Sequence, residues 1–147
     1  MLSRFVRLLL AASLILTSLN VLAQEERPYT EGVILEISSI KIKAGGFDTY
    51  MAWLQKTWKA ANEEYKKAGI ILDYGVYVTN ARNPNEPDVF LTIVYKNWAA
   101  LDGLQAKTDP IDQKIYGSIA QANQGFVDRE KIREVLGVEY IQELKLK

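Results

Sequence analysis

Residues 70–96 hold two apolar segments separated by a polar, proline-bearing connection. The first is Ile70-Ile71-Leu72-Asp73-Tyr74-Gly75-Val76-Tyr77-Val78 and the second is Asp88-Val89-Phe90-Leu91-Thr92-Ile93-Val94-Tyr95-Lys96. Both are rich in β-branched and aromatic residues, and Asn80-Ala81-Arg82-Asn83-Pro84-Asn85-Glu86-Pro87 between them has turn composition. Two strands are therefore predicted. The second is apolar on nearly every residue, which calls for cover on both of its faces. On the first, Ile70, Leu72, Tyr74, Val76 and Val78 alternate with Ile71, Asp73, Gly75, Tyr77 and Thr79. On the second, Val89, Leu91, Ile93 and Tyr95 oppose Phe90, Thr92, Val94 and Lys96.

The chain opens on Met1-Leu2-Ser3-Arg4-Phe5-Val6-Arg7, basic and free of acids. The apolar run Leu8-Leu9-Leu10-Ala11-Ala12-Ser13-Leu14-Ile15-Leu16 follows, and then Val21-Leu22-Ala23. This is the layout of a secretory signal peptide. Its apolar core falls short of the ~20 residues a membrane-spanning helix needs. Cleavage is expected between Ala23 and Gln24, leaving residues 24–147 as a single exported domain, periplasmic or secreted. Cleavage removes Arg4 and Arg7 from 18 basic residues and none of the 18 acids, so the mature net charge is about −2. A weakly acidic, evenly mixed chain lacks the footprint for nucleic acid and the polybasic patch for anionic lipid. The mature form is expected to engage neither nucleic acid nor membrane.

The chain contains no Cys and no His. A Ser-His-Asp triad, a Cys nucleophile, an ordinary zinc site and a His-ligated haem are all excluded. An all-carboxylate calcium or magnesium site stays open in principle, but no EF-hand loop is present, and neither a metal nor a cofactor is expected. Without disulfides, an exported domain must rest on its core or on oligomerisation.

The remaining elements follow from periodicity. Gly32 to Lys43 reads as a strand, with Ser38-Ser39 as the place where a bulge would reset its phase. A helix is predicted over 47–67: Phe47, Tyr50, Met51, Leu54, Trp58, Ala61, Tyr65 and Ala68 form one stripe, and Gly69 stands at its C′ position. Lys56, Lys59, Asn62, Glu63, Lys66 and Lys67 lie largely off the stripe. Trp53 sits at a flank, suited to the edge of the core or to a subunit contact or pocket rim. Asn97 caps a short helix over 98–104, and Thr108-Asp109-Pro110 starts another that reaches Asn123. Asp128 opens a last short helix, stopped by Gly137, and 138–146 is a closing strand.

Strand, helix, strand, strand, helices, strand is the βαββαβ order of the ferredoxin-like unit. The predicted class is α+β: a four-stranded antiparallel sheet with helices on one face. Ile71, Phe90 and Val94 would then be exposed on the other face, a patch that signals a partner. A second copy packed sheet to sheet in a closed two-fold dimer supplies it.

Three stretches carry a family resemblance. They are Ile40-Lys41-Ile42-Lys43-Ala44-Gly45-Gly46-Phe47 leading into Tyr50-Met51-Ala52-Trp53-Leu54, the Gly69 helix stop, and Tyr95-Lys96-Asn97-Trp98-Ala99-Ala100-Leu101. On these the chain resembles the dimeric α/β-barrel superfamily, which includes antibiotic-biosynthesis-monooxygenase-like, stress-responsive barrel and NIPSNAP-like domains. The resemblance spans essentially the whole mature chain and implies a homodimer through the sheet face. The family's activities range over cofactor-free oxygenases, haem-handling enzymes and isomerase-like members. Its haem-degrading branch relies on a His that this chain lacks.

Strand parity places Asp73, Tyr77 and Thr92, with Glu36 and Ser38, between the two sheets. A carboxylate held among Ile71, Phe90 and Val94 has a raised pKa and suits a general base toward an acidic C–H or phenol. Tyr77 is then a donor to an oxyanion. The structural alternative is that Asp73 bonds a neighbouring hydroxyl and Tyr77 fills the barrel. Glu63 and Glu64 point about 100° apart on the helix and read as surface salt links, Glu63 with Lys67 or Lys59. Three functions stand open. One is a homodimer binding a small, largely apolar or aromatic molecule between its sheets, with Trp53, Trp58, Tyr77 and Phe90 as contacts. Another is a cofactor-free monooxygenase or isomerase on an aromatic or polyketide-like substrate with Asp73 as base. The third is a structural or interaction module whose barrel is filled by its own side chains.

Overall fold

The computed structural model describes residues 26–147; the expected signal peptide and its cleavage point lie outside the described residues. Strand β1 (Tyr29–Ile42) leads into a long helix, α1, with three parts. Phe47–Trp53 is α-helical, Leu54–Trp58 makes a π turn, and Lys59–Lys67 is α-helical again. Strands β2 (Asp73–Val78) and β3 (Val89–Tyr95) follow. After a 3₁₀ turn (Trp98–Leu101) come α2 (Leu104–Tyr116), α3 (Ile119–Arg129) and β4 (Arg133–Leu146). The strands form one sheet in the order β2-β3-β1-β4, with every neighbouring pair antiparallel. This is the ferredoxin-like arrangement.

Cross-strand register assigns the faces. Ile34 lies opposite Tyr95, Ser38 opposite Leu91 and Ile40 opposite Val89. These side chains face the helices. Ile40, Val89 and Leu91 pack with Tyr50 and Leu54 of α1, and Ile34, Tyr95 and Ile71 pack with Tyr65, Leu101 and Leu104. On the helix-free face Leu35 lies opposite both Val94 and Ile141, Ile37 opposite Thr92, and Ser39 opposite Phe90. β3 is therefore apolar on both sides because one side meets the helices and the other forms the middle of an open sheet surface.

Several expectations change in detail. β2 starts at Asp73, so Ile71 escapes the alternation: it is 3% exposed, in the core beside Ile34 and Tyr95, and not on the open face. Gly69 at φ +70° turns the chain there, and the Ile70 amide still bonds back to the Tyr65 carbonyl at 3.0 Å. No bulge forms at Ser38-Ser39 in β1, which pairs with β3 without interruption from Ile34 to Ile40. The irregularity at this point is in β4: Ser39 faces Gly137 and Ile40 faces Val135, leaving Leu136 as the extra residue, and a second register shift lies nearer the start of β1, between Glu31 and Ile34. Asn97 does cap the 3₁₀ turn, its side chain accepting from the Ala100 amide at 3.1 Å. The helix after it starts at Leu104, not at Pro110, and runs through that proline, because Leu104 is anchored against the Ile34–Tyr95 cluster. Gly117 and the Ser118 cap separate it from α3, and the segment after Asp128 is the last turn of α3 and the start of β4.

Candidate functional site

The π turn of α1 borders a cleft of about 630 Å³. A π turn accommodates one extra residue, and such turns are frequent at functional sites. Asn62 lies inward, one turn after Trp58. Asn62 was expected off the apolar stripe but is 1% exposed, and its Nδ2 donates to the Trp58 carbonyl at 2.8 Å, where the π turn ends. Met51, Leu54 and Trp58 of α1 form one wall of the cleft, and Tyr74 and Val76 of β2 form the other. Trp58 meets the Tyr74 ring edge to face, with centroids 5.3 Å apart and planes at 84°. Gln55, Lys59, Glu63, Lys66 and Asp73 supply the polar rim.

The rim is paired. The Tyr74 hydroxyl donates to the Glu63 carboxylate. Loss of solvent, then that hydrogen bond and the Glu63 charge, push the phenol up to about 12. Glu63 thus serves the cleft and not a surface salt link; Lys67 pairs with Glu64 at 2.7 Å instead. Lys66 and Asp73 form an ion pair at 2.9 Å. The result is an apolar slot with a phenol–carboxylate pair and a cation at its mouth, suited to a small apolar molecule with one polar group.

The predicted site residues divide among four places. Asp73, Tyr77, Thr92 and Phe90 do share the helix-free face: Gly75 is opposite Thr92, and Tyr77 is opposite Phe90. A Cβ on Gly75 would stand 2.8 Å from the Tyr77 ring and 3.0 Å from the Thr92 hydroxyl, so Tyr77 lies folded across the glycine. The Asp73 side chain, however, is 64% exposed. The hydrogen bond from Lys66, followed by the Tyr74 backbone amide, holds its carboxyl below the ordinary carboxylate range. The raised pKa expected of a base enclosed among Ile71, Phe90 and Val94 is replaced by the opposite shift, because Ile71 is in the core and Lys66 stands beside the acid.

Glu36 and Ser38 face the helices, not the space between sheets, since they pair with Ile93 and Leu91 on the helix side. Glu36 Oε2 accepts from the Tyr95 and Tyr140 hydroxyls, both at 3.0 Å. Burial and then Glu36 push Tyr140 up to about 12, and the same causes raise Tyr95. Trp53 belongs to the edge of the core, stacked on Tyr50 at 5.8 Å with Arg129 over its ring. Of the predicted site residues, Trp58 lines the cleft and Asp73 stands at its rim. Glu63, Tyr74 and the π turn were missed. Among the described residues no group of three His, Cys, Asp or Glu side chains is arranged to hold a metal ion, and no helix is long and apolar enough to cross a membrane.

No protein-family model matches the chain, and no curated protein sequence matches it. Its fold is that of solved ferredoxin-like proteins. A dimeric ferredoxin-like protein from an uncultured marine organism superposes with a TM-score of 0.51 at 14% identity, over 80% of this chain and 98% of that one. HapK from Hahella chejuensis superposes with a TM-score of 0.50 at 13% identity, over 75% of this chain and 91% of that one. At these identities the likeness defines the class, an α+β ferredoxin-like domain.

Proposed function

We propose that the protein is exported, forms a homodimer through the helix-free face of its sheet, and binds a small, largely apolar molecule in the α1–β2 cleft of each subunit. The observation that carries the ligand reading is the cleft itself. Trp58 and Tyr74 meet at an apolar slot beside a π turn, and the Tyr74–Glu63 pair supplies a polar group next to them. The dimer reading rests on Leu35, Ile37, Phe90, Val94 and Ile141, which make the open face apolar. The marine ferredoxin-like neighbour is itself dimeric. Packed sheets lie only about 10 Å apart, and these side chains from two copies fill that layer. The molecule is therefore assigned to the cleft and not to the space between sheets. A cofactor-free enzyme using Asp73 as base has less support, because Lys66 stabilises the ionised acid in the open. Export rests on the basic-then-apolar leader.

Native mass spectrometry of protein recovered from the exported fraction tests this. A two-chain mass with small-molecule adducts, lost in Trp58→Ala while the dimer persists, is expected. Adducts that survive in Trp58→Ala would remove the cleft from consideration, and a single-chain mass would remove the dimer.

A further inference from the structure

Arg129, at the end of α3, and Arg133, at the start of β4, converge on the aromatic side chains of α1. The Arg129 guanidinium lies 3.8 Å from the centre of the Trp53 ring. That of Arg133 lies 5.5 Å from Tyr50 and 4.9 Å from Phe126. Arg133 is 4% exposed. Arg129 Nε and Arg133 Nε and Nη1 are sealed from solvent and, among the described residues, have no hydrogen-bond partner. The acid beside them in sequence, Asp128, is engaged by Lys131 at 3.0 Å. Burying a cation without a counter-charge is costly, and cation–π contacts return only part of that cost, about 0.5–2 kcal/mol each.

Arg133 also lines a cavity of about 290 Å³, together with Lys43, Phe126, Glu130, Glu134 and Val135. None of these residues belongs to the α1–β2 cleft. The lining itself is balanced, Lys43 and Arg133 against Glu130 and Glu134, and the one positive charge left over is that of Arg129, which lies over Trp53 outside the lining. A dianion would overshoot that balance and meet two carboxylates. A single carboxylate matches that charge, and Phe126 and Val135 offer an apolar wall for its organic body. We infer that this cavity binds a small organic monocarboxylate, held by Arg133 and Lys43 and packed against Phe126.

Calorimetric titration of the purified protein with benzoate, benzamide and inorganic phosphate tests the inference. Benzoate binds saturably, and benzamide and phosphate bind more weakly by about tenfold or more. Arg133→Met lowers benzoate affinity by about tenfold or more, the scale of one charge-assisted hydrogen bond. Because it removes an unpaired buried charge, it leaves Tm unchanged or raised. A fall in Tm with unchanged benzoate affinity would make Arg133 structural and overturn the proposal. So would equal affinities for benzoate and benzamide, tighter binding of phosphate, or no benzoate binding to the unsubstituted protein. Should Arg133→Met fail to fold, Lys43→Met decides. A several-fold loss of benzoate affinity supports the site, and an unchanged affinity overturns it.

Discussion

Leu35 offers the sharpest test of the open sheet face. It lies on the central strand β1 with Val94 opposite it on β3 and Ile141 opposite it on β4. Replacing it with Asp puts a carboxylate in the middle of an apolar surface, with no cation directly across either ladder. In a two-fold interface every substitution enters twice. Full burial of a leucine is worth about 1.5–3 kcal/mol, and Leu35 is already half-buried within one chain, so the interface loses about half of that per copy and about 1.5–3 kcal/mol for two copies. At about 1.4 kcal/mol per tenfold change, the dimer Kd rises by about one to two orders of magnitude. The cost of enclosing the charge adds to this, since an aspartate side chain is too short to reach water from there as a lysine does. Sedimentation equilibrium across a concentration series measures the association constant, and far-UV circular dichroism reports whether the fold is kept. A folded Leu35→Asp protein with an unchanged dimer Kd would refute the sheet-to-sheet assembly.

Three further outcomes follow from side-chain geometry. Asp88 accepts from the Ile42 amide at 2.8 Å and from Lys41 at 3.1 Å, and chiefly the amide holds its carboxyl below the ordinary range. Its folded pKa is thus depressed: its stabilisation is complete above the unfolded value of about 3.9 and fades as pH falls through the folded one. Asp88→Asn should lower the urea midpoint at pH 7 and flatten its decline in acid; an equally steep decline counts against the carboxylate's role. The Tyr74 phenol, pushed up to about 12, has the opposite sign: stability is lost as pH rises from about 10 toward that value. Tyr74→Phe should remove that alkaline component and one late-titrating phenol from the tyrosinate absorbance curve, and an unaltered curve would contradict it. Gly69 sits at φ +70° with open space where a Cβ would go, so Gly69→Ala pays only for its backbone, about 1–2 kcal/mol by chemical denaturation. No loss at all would mean that the turn is not fixed.

The parts of the fold legible in the sequence are those where side-chain period and backbone period agree. β3 shows this best: Val89, Leu91, Ile93 and Tyr95 alternate with Phe90, Thr92 and Val94, and the structure uses both sets, one against helices and one on the open sheet. The βαββαβ order followed from there. What alternation could not show was where a strand begins. Ile71 has the parity of Asp73 and Tyr77, but it precedes the first ladder residue and turns into the core. Glu36 and Ser38 were read onto the sheet-to-sheet face opposite Leu35 and Ile37, whereas the register turns β1 over: Glu36 and Ser38 join Ile34 and Ile40 on the helix side, and Leu35 and Ile37 lie on the open face. The phase slip expected at Ser38-Ser39 is met by an extra residue, Leu136, on the neighbouring strand, where no pattern in β1 could reveal it. The proline cue at Pro110 was overridden by Leu104, whose core contact starts α2 earlier.

The cleft was hidden for a related reason. A π turn changes the hydrogen-bond partner of a few residues and advances the helix by one position, and an apolar stripe spaced by threes and fours absorbs that shift without a visible break. The informative residue was Asn62, a polar side chain four positions after Trp58 and so beside the apolar stripe. It is a buried donor to the Trp58 carbonyl, and Trp58 and Glu63 on either side of it come to Tyr74. This stretch of α1 therefore lines the slot, supplies its aromatic wall and places its carboxylate. Restoring a regular α turn, by deleting one residue within Leu54–Trp58, should withdraw Trp58 and Glu63 from Tyr74 together while leaving the sheet face untouched. In native mass spectra such a deletion keeps the dimer and loses the adduct. A deletion variant that retains both would separate the π turn from binding.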